Sequence, residues 1–317
     1  MNFVRGVFSS TPTISALPIR ESAVPLSYVL SSFRWHLDSR PPSKAILVHD
    51  FLGSSVAWQQ LLHKNLGRLP LSNLTLKTPL ELYAVNLREH YLSKGLPCPA
   101  EAKNYALACA ADIVLHQRQI LRSDAKLAGL GFGALVACQA ALHSPESGFE
   151  SLTLFVNDPS QLVACDPSQY PTASVILGVP KEIKTLAELN RHLSKTVPNP
   201  VERALIFASA EQRDGAISFR FGKELLGLQG PLQGAVGVGE RVQFLKQVTV
   251  VQCSDAVFPQ EAKDRFTKHF PNATFLKFEG DRSAGLSGLY LQGEPFVGTL
   301  LRTMNMLAEA ENGEGNK

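Results

Sequence analysis

Three stretches of the chain carry residue types that could do chemistry. His49-Asp50 closes a short apolar run, Ala45–Val48, and is followed by Phe51 and Leu52. The segment 127–134, Leu-Ala-Gly-Leu-Gly-Phe-Gly-Ala, is crowded with small residues around Gly131. Asp158 and Asp255 each follow a further apolar run. Nucleophilic acyl chemistry needs a nucleophile, a base within hydrogen-bond reach and donors for the developing oxyanion. Gly131 has no side chain with which to attack. Cys138 lies about two helical turns further on and is expected to pack as a small hydrophobe. None of the eight histidines lies beyond Phe270. The five cysteines, Cys98, Cys109, Cys138, Cys165 and Cys253, are scattered, odd in number and without a CxxC pair. Neither a disulfide framework nor a zinc site is expected, and a reducing compartment is. No metal and no cofactor are expected. Gly234, Gly237 and Gly239 lie in a Gly-Ala-Val-Gly-Val-Gly run, but no strand precedes it and no clear helix follows, so it reads as a loop and not a phosphate-binding turn.

The elements that must position these residues are legible as alternating runs. Ala45–Val48, Leu82–Val85, Leu127–Leu130, Leu152–Val156, Val248–Val251 and Phe275–Phe278 are short and apolar, as strands buried on both faces should be. Leu26–Leu30 and Phe33–Leu37 are candidates for two earlier strands. Between them, 102–121 has apolar residues three and four apart, and 132–142, 260–269 and 295–307 are also expected to be helical. Strands alternating with helices predict a mainly parallel sheet covered on both faces. The rhythm breaks over 160–244, read as a helical lid with helices near 186–193 and 200–210. Core residues are then 24–159 and 245–307, and 308–317 reads as a disordered tail. Residues 1–23 contain Arg5, Arg20 and several Ser and Thr, with no acidic residue before Glu21. That is the composition of a transit peptide, with a disordered tail as the other reading, and the expected address is the mitochondrion, with plastid or cytoplasm as alternatives. The net charge of +3 argues against nucleic-acid binding driven by bulk charge, and no apolar run approaches the length of a transmembrane span.

Placed between a buried strand and an Ala-rich helix, 127–134 resembles the G-x-S-x-G nucleophile elbow of the α/β-hydrolases, framed by Gly129 and Gly133. Val48–Ser54 followed by Trp58 resembles the H-G-x-x-G-S…W segment that forms half of the oxyanion hole. Val85–His90 followed by Ser93 resembles the D-x-R-x-H-G-x-S loop, and Asp112 falls in the helix before the elbow strand. Asn199–Ile206, then Gly215 and Phe219–Phe221, resembles the lid signature of the subfamily that includes abhydrolase domain-containing protein 11 and bacterial esterases. Phe270–Ala273 matches the join to the last strand. The resemblance spans about Val24 to Met306 and implies an α/β-hydrolase fold, with an eight-stranded sheet, helices on both faces and an inserted helical lid.

The same resemblance places vestigial triad positions where this chain departs from the pattern. Gly131 stands at the nucleophile, Leu289 at the histidine, and Val156 at the acid, with Asp158 as a displaced equivalent and Asp255 where other α/β-hydrolases carry their acid; either aspartate reads as readily as a turn or helix-capping residue. A vestigial oxyanion and pocket set follows as His49, Asp50, Phe51, Leu52 and Phe132. His49 is structural at this position, and the Asp50 carboxylate would oppose an oxyanion. Phe51, Leu52, Phe132 and Leu289 would form an apolar floor. The expectation drawn from these departures is a chain that is not an enzyme: a structural or scaffold subunit bound to protein partners in a mitochondrial complex. Two alternatives stay open. One is a protein that binds a small-molecule or acyl ligand in the old pocket. The other is an atypical, serine-independent esterase or thioesterase.

Overall fold

The computed structural model describes residues 23–308 apart from 34–38, 52, 67–74, 94, 97, 100–101, 145–147, 163, 166–174, 223–224, 226–227, 229–231, 234–241 and 284. The expected transit peptide, the terminal tail beyond Ala308, Leu52 and the glycine-rich run over 234–239 lie outside the described residues.

Eleven strands are defined among the described residues: β1 (Tyr28–Phe33), β2 (Ser43–Val48), β3 (Leu80–Val85), β4 (Ala125–Leu130), β5 (Phe149–Val156), β6 (Ala164–Cys165), β7 (Ala210–Arg213), β8 (Ala216–Phe219), β9 (Leu232–Gln233), β10 (Gln247–Gln252) and β11 (Ala273–Lys277). Eight α-helices accompany them: α1 (Ser55–Leu66), α2 (Ala102–His116), α3 (Phe132–His143), α4 (Leu186–Thr196), α5 (Pro200–Ser209), α6 (Gln260–His269), α7 (Gly285–Gln292) and α8 (Glu294–Thr303).

The main sheet has seven strands in the order β1-β3-β2-β4-β5-β10-β11. Only β1 runs antiparallel to its neighbour. Eight strands were expected; the additional one, over 33–37, falls largely on residues outside the described set.

The apolar runs form strands because their alternate side chains serve two different cores. Ile46 and Val48 of β2, Tyr83 and Val85 of β3, Leu127 of β4 and Leu152, Leu154 and Val156 of β5 join one cluster with α2 and α3. Ala45 and Leu47, Leu82 and Ala84, Ala128 and Leu130, and Phe155 join the other, with Trp58 of α1 and Phe296 of α8. The edge strand β11 is mostly exposed on its own side.

The helical prediction over 102–121 ends differently from expectation. Regular α-helix stops at His116, and Gln117–Leu121 forms a π-helical turn closed by Arg122 in the left-handed region. The last helix ends at Thr303, and Leu307 instead bridges to Leu76.

Residues 160–244 hold α4 and α5, each with a sequence-legible start. Thr185 and Glu188 form a reciprocal capping box on α4, and the Asn199 side chain accepts from the backbone N–H of Val201 ahead of Pro200 at the first turn of α5. The lid is not purely helical. Strands β7 and β8 pair as a hairpin across Asp214-Gly215, both with positive φ. That dipeptide is a strong two-residue hairpin signal, but the flanking segments are too short and polar to announce strands.

Candidate functional site

The site is set by strand register. Val48 of β2 pairs with Gly129 of β4, so the residues two places further along each chain, Asp50 and Gly131, leave the sheet side by side. This is also where the strand order reverses, since β3 lies on one side of β2 and β4 on the other. Open α/β sheets form their ligand crevices at the carboxyl ends of strands at such a reversal.

The turn after β4 has the backbone of a sharp elbow. Gly131 has φ 50° and ψ −112°, a conformation costly for any residue with a β-carbon. Its N–H donates to the Phe155 carbonyl at 2.8 Å, and its carbonyl accepts from Ala134 at 3.0 Å, which starts α3. Gly129 allows the close approach of strand and helix, because a β-carbon there would overlap the backbone of Gly133.

Asp50 fills the place left by the missing side chain. A β-carbon on Gly131 would overlap the Asp50 carboxylate. Asp50 Oδ1 accepts from the Phe51 N–H at 2.7 Å and from the Phe132 N–H at 2.8 Å. These two backbone donors, one from each turn, are positioned as an oxyanion-binding pair is. Asp50 therefore does more than oppose an incoming oxyanion: its own oxygen occupies both donors.

His49 is locked behind this arrangement. Its Nδ1–H donates to the Asp50 carbonyl at 2.7 Å, and its Nε2 accepts from the Leu87 N–H at 3.1 Å. The two bonds fix a neutral tautomer, and burial lowers its pKa to about 4. Next to it, the Nδ1–H of His90 donates to the Arg88 carbonyl at 2.8 Å, and burial followed by the proximity of His49 pushes its pKa well down. Arg88 and Asp112 form a fully buried bidentate pair, with Nη2 2.7 Å from Oδ1, and Asp112 also accepts from Val24. Both groups hold the 86–93 loop in place.

The candidate acids do not converge on the elbow. Val156 is buried at the end of β5, and its carbonyl accepts from Cys253. Asp158 caps the following turn, accepting from Ser160 N–H at 2.9 Å. Asp255 pairs with Arg282 at 2.8 Å at the surface. Cys138 is buried in α3, where desolvation pushes its thiol up.

A cavity of about 410 Å³ opens over the elbow, between it and α4, α5 and the lid hairpin. Its lining includes Asp50, Phe51, Leu130, Ile206, Arg220 and Tyr290. The expected apolar floor is corrected in two places. Phe132 turns into the core, where it stacks on Tyr105 at 5.6 Å between ring centres. Leu289 is fully buried among Trp58, Phe155 and Phe296 on the opposite face of the sheet. Because 285–292 is helical, the next residue, Tyr290, is the one that reaches the cavity. Burial, and then the nearby Asp50 charge, push the Tyr290 hydroxyl well above its ordinary pKa. Tyr290 and Arg220 were missed as site residues by sequence reasoning, although Arg220 stands out as a lone cation within Phe219-Arg220-Phe221. Among the described residues no cluster of His, Cys, Asp and Glu could hold a metal ion, and no helix is long and apolar enough to cross a membrane.

No family model matches the sequence, and no curated protein is significantly similar to it. Solved structures do share its architecture. Over 88% of this chain and 99% of the other, it is similar to a marine microorganism esterase, with a TM-score of 0.63 and 14% identity. An E-2-(acetamidomethylene)succinate hydrolase matches over 88% and 96% at a TM-score of 0.57 and 17% identity. A thioesterase domain from the curacin biosynthetic pathway matches over 89% and 99% at a TM-score of 0.54 and 14% identity.

These findings overturn two linked expectations, that the chain is an inactive structural subunit of a mitochondrial complex and that it is not an enzyme. The solved structures that it resembles are described as an esterase, a hydrolase and a thioesterase. The physical ground of those expectations was a site degraded by loss of side chains. Instead, a carboxylate has taken the place of the missing side chain, beneath an open cavity. At identities this low the likeness speaks for architecture, and with the parallel sheet and the elbow at Gly131 it establishes that the chain has the α/β-hydrolase fold.

Proposed function

We propose that the cavity beneath the lid is a binding site for a small apolar acyl compound, with Asp50 as the polar group at its base. The observation that carries this reading is the cavity itself, about 410 Å³ and lined mainly by apolar side chains from the core and the lid. Small-molecule sites have this size and this mix of apolar wall and few polar groups. The resemblance of 199–206 and 219–221 to the lid of the abhydrolase domain-containing protein 11 and bacterial esterase subfamily supports acyl compounds as the ligand class. The test is a titration of the full chain with straight-chain alcohols and methyl esters, followed by calorimetry. Saturable binding that Ala57→Trp abolishes is expected, because Ala57 lines the cavity. No binding across the series would overturn the reading.

A second reading is favoured by one specific observation, the Asp50 carboxylate standing in the space of a side chain at 131. In it the chain is a serine-independent hydrolase. The carboxylate adds to the ester carbonyl, the alkoxide leaves and takes a proton from water, and a second water hydrolyses the mixed anhydride to restore Asp50. Asp50→Asn keeps the shape and removes the nucleophile. Ester turnover by the wild type that this variant loses, with ¹⁸O from labelled water entering Asp50, is the expected result; turnover unchanged in Asp50→Asn would refute it.

A further inference from the structure

Arg220 is an unusual wall for an apolar cavity. It lies at the end of β8 and lines the same space as Asp50. Its backbone is held at both ends, with its N–H donating to the Ser209 carbonyl at 2.8 Å and its carbonyl accepting from Tyr91. The guanidinium lies 5.6 Å from the centre of the Tyr91 ring, which supports its planar face. Its Nε is buried and has no hydrogen-bond partner. Among the described residues no carboxylate forms an ion pair with it, Asp50 included. A guanidinium that lines a cavity with no carboxylate paired to it is chemically suited to a bound anion.

We infer that Arg220 recognises a carboxylate head on the compound that the cavity takes, so that the ligand class is a straight-chain or similarly slender organic acid with an apolar tail. The inference rests on the reading of the cavity as a ligand site. Two features narrow the ligand. Arg220 is the one cation among the described lining residues, so a single negative charge is matched, and the planar guanidinium fits the two oxygens of a carboxylate. The rest of the wall near it, Ile206, Phe207 and Ala208, offers an aliphatic tail its surface. Asp50 disfavours a head group placed at the elbow end, because like charges would meet there. The acid therefore lies with its head toward the lid hairpin and its tail toward the elbow.

The experiment compares octanoate, 1-octanol and octyl phosphate by calorimetry on the full chain, in the wild type and in Arg220→Gln and Arg220→Lys. Octanoate is expected to bind at least about tenfold more tightly than 1-octanol, as one charge-assisted hydrogen bond suffices for that. Arg220→Gln should weaken octanoate far more than 1-octanol and so remove the difference, and Arg220→Lys should keep part of it. The comparison of ligands on the wild type needs no variant to fold. Equal binding of octanoate and 1-octanol would overturn the inference and leave the cavity reading standing, and so would tighter binding of octyl phosphate than of octanoate. Failure of all three to bind would overturn both.

Discussion

The carboxylate of Asp50 and the bare α-carbon of Gly131 are complementary: the one occupies the volume that the other vacates. Their backbones diverge from paired strands, 81 positions apart in sequence, and Oδ1 of Asp50 bonds to the N–H that follows Gly131 at 2.8 Å. Neither residue can be understood, or changed, without the other.

A serine restored at 131 alone should therefore be harmful. Gly131→Ser meets both a positive φ of 50° and the Asp50 carboxylate. Strain and overpacking together should cost at least about 2 kcal/mol. With Asp50→Gly in the same chain much of that cost should return, giving a coupling of about 1–3 kcal/mol between the sites. Denaturant unfolding of the two single variants and the double variant measures it, and additive effects would show that the two groups do not compete for space.

Position 290, not 289, should accept a working histidine. Leu289 is fully buried in the cluster with Trp58 and Phe296, whereas Tyr290 borders that cluster and also lines the cavity. Asp50→Gly, Gly131→Ser and Tyr290→His combined should form an acyl-enzyme with a nitrophenyl ester, visible by mass spectrometry. The same set with Leu289→His should not, and should be the less stable, since it buries an imidazole in an apolar cluster.

Stability should fall on mild acidification. Burial lowers His49 and His116 to about 4, against 6.5 for the free side chain. Because the unfolded chain binds those protons first, their contribution is intact above about pH 6.5 and is lost as pH falls toward 4. Each is worth about 3 kcal/mol at the acid end of that window. His90 shifts in the same direction. Thermal unfolding from pH 7.5 to 4.5 should show Tm dropping mainly below pH 6.5; a flat profile there would contradict the buried neutral state.

His116 gives a sharper version of that experiment. Neither of its ring nitrogens has a partner, and its ring stands edge-on to Tyr28 at 4.9 Å. His116→Phe keeps the ring contacts and removes two orphaned polar atoms, so it should leave stability at pH 7 equal or higher by about 1 kcal/mol. It should also shorten the acid-sensitive window by one proton, which the pH dependence of the variant's Tm will reveal.

Breaking the Arg88–Asp112 pair should be more damaging than any surface change. Both side chains are essentially inaccessible to solvent, and Asp112 also holds the N–H of Val24. Asp112→Ala strands a buried guanidinium and should cost about 3–5 kcal/mol. Loss of the Val24 anchor should appear as faster amide exchange at the start of the chain.

The sheet was legible in the sequence because its strands are buried on both sides, and continuous apolar runs such as Ile46–Val48 and Leu152–Val156 announce that environment locally. The elbow was legible for a similar reason: small residues clustered between a strand and a helix have few other uses. The replacement at its tip was only half legible. Asp50 reads as a charge opposed to an oxyanion, but nothing local states that it fits the void at Gly131, since that depends on register between two distant strands. The acids were ambiguous for the opposite reason, since aspartate is common at turns as well as in sites. Asp158 and Asp255 lie where a catalytic carboxylate is sought, yet one caps a turn and the other meets Arg282. Tyr290 was hidden by helical geometry, which sends adjacent residues in different directions, and Arg220 by lying in a hairpin whose short strands carry little pattern of their own.

The loop from Arg88 to Ser93 is stitched to the end of the lid hairpin. His90 bridges to Phe221, Tyr91 donates to the Arg220 carbonyl, and Gly222 donates to the Glu89 carbonyl at 2.6 Å. A side chain whose backbone is tied on both sides stands like a post set between two walls, so whatever enters the cavity meets its charge in one place.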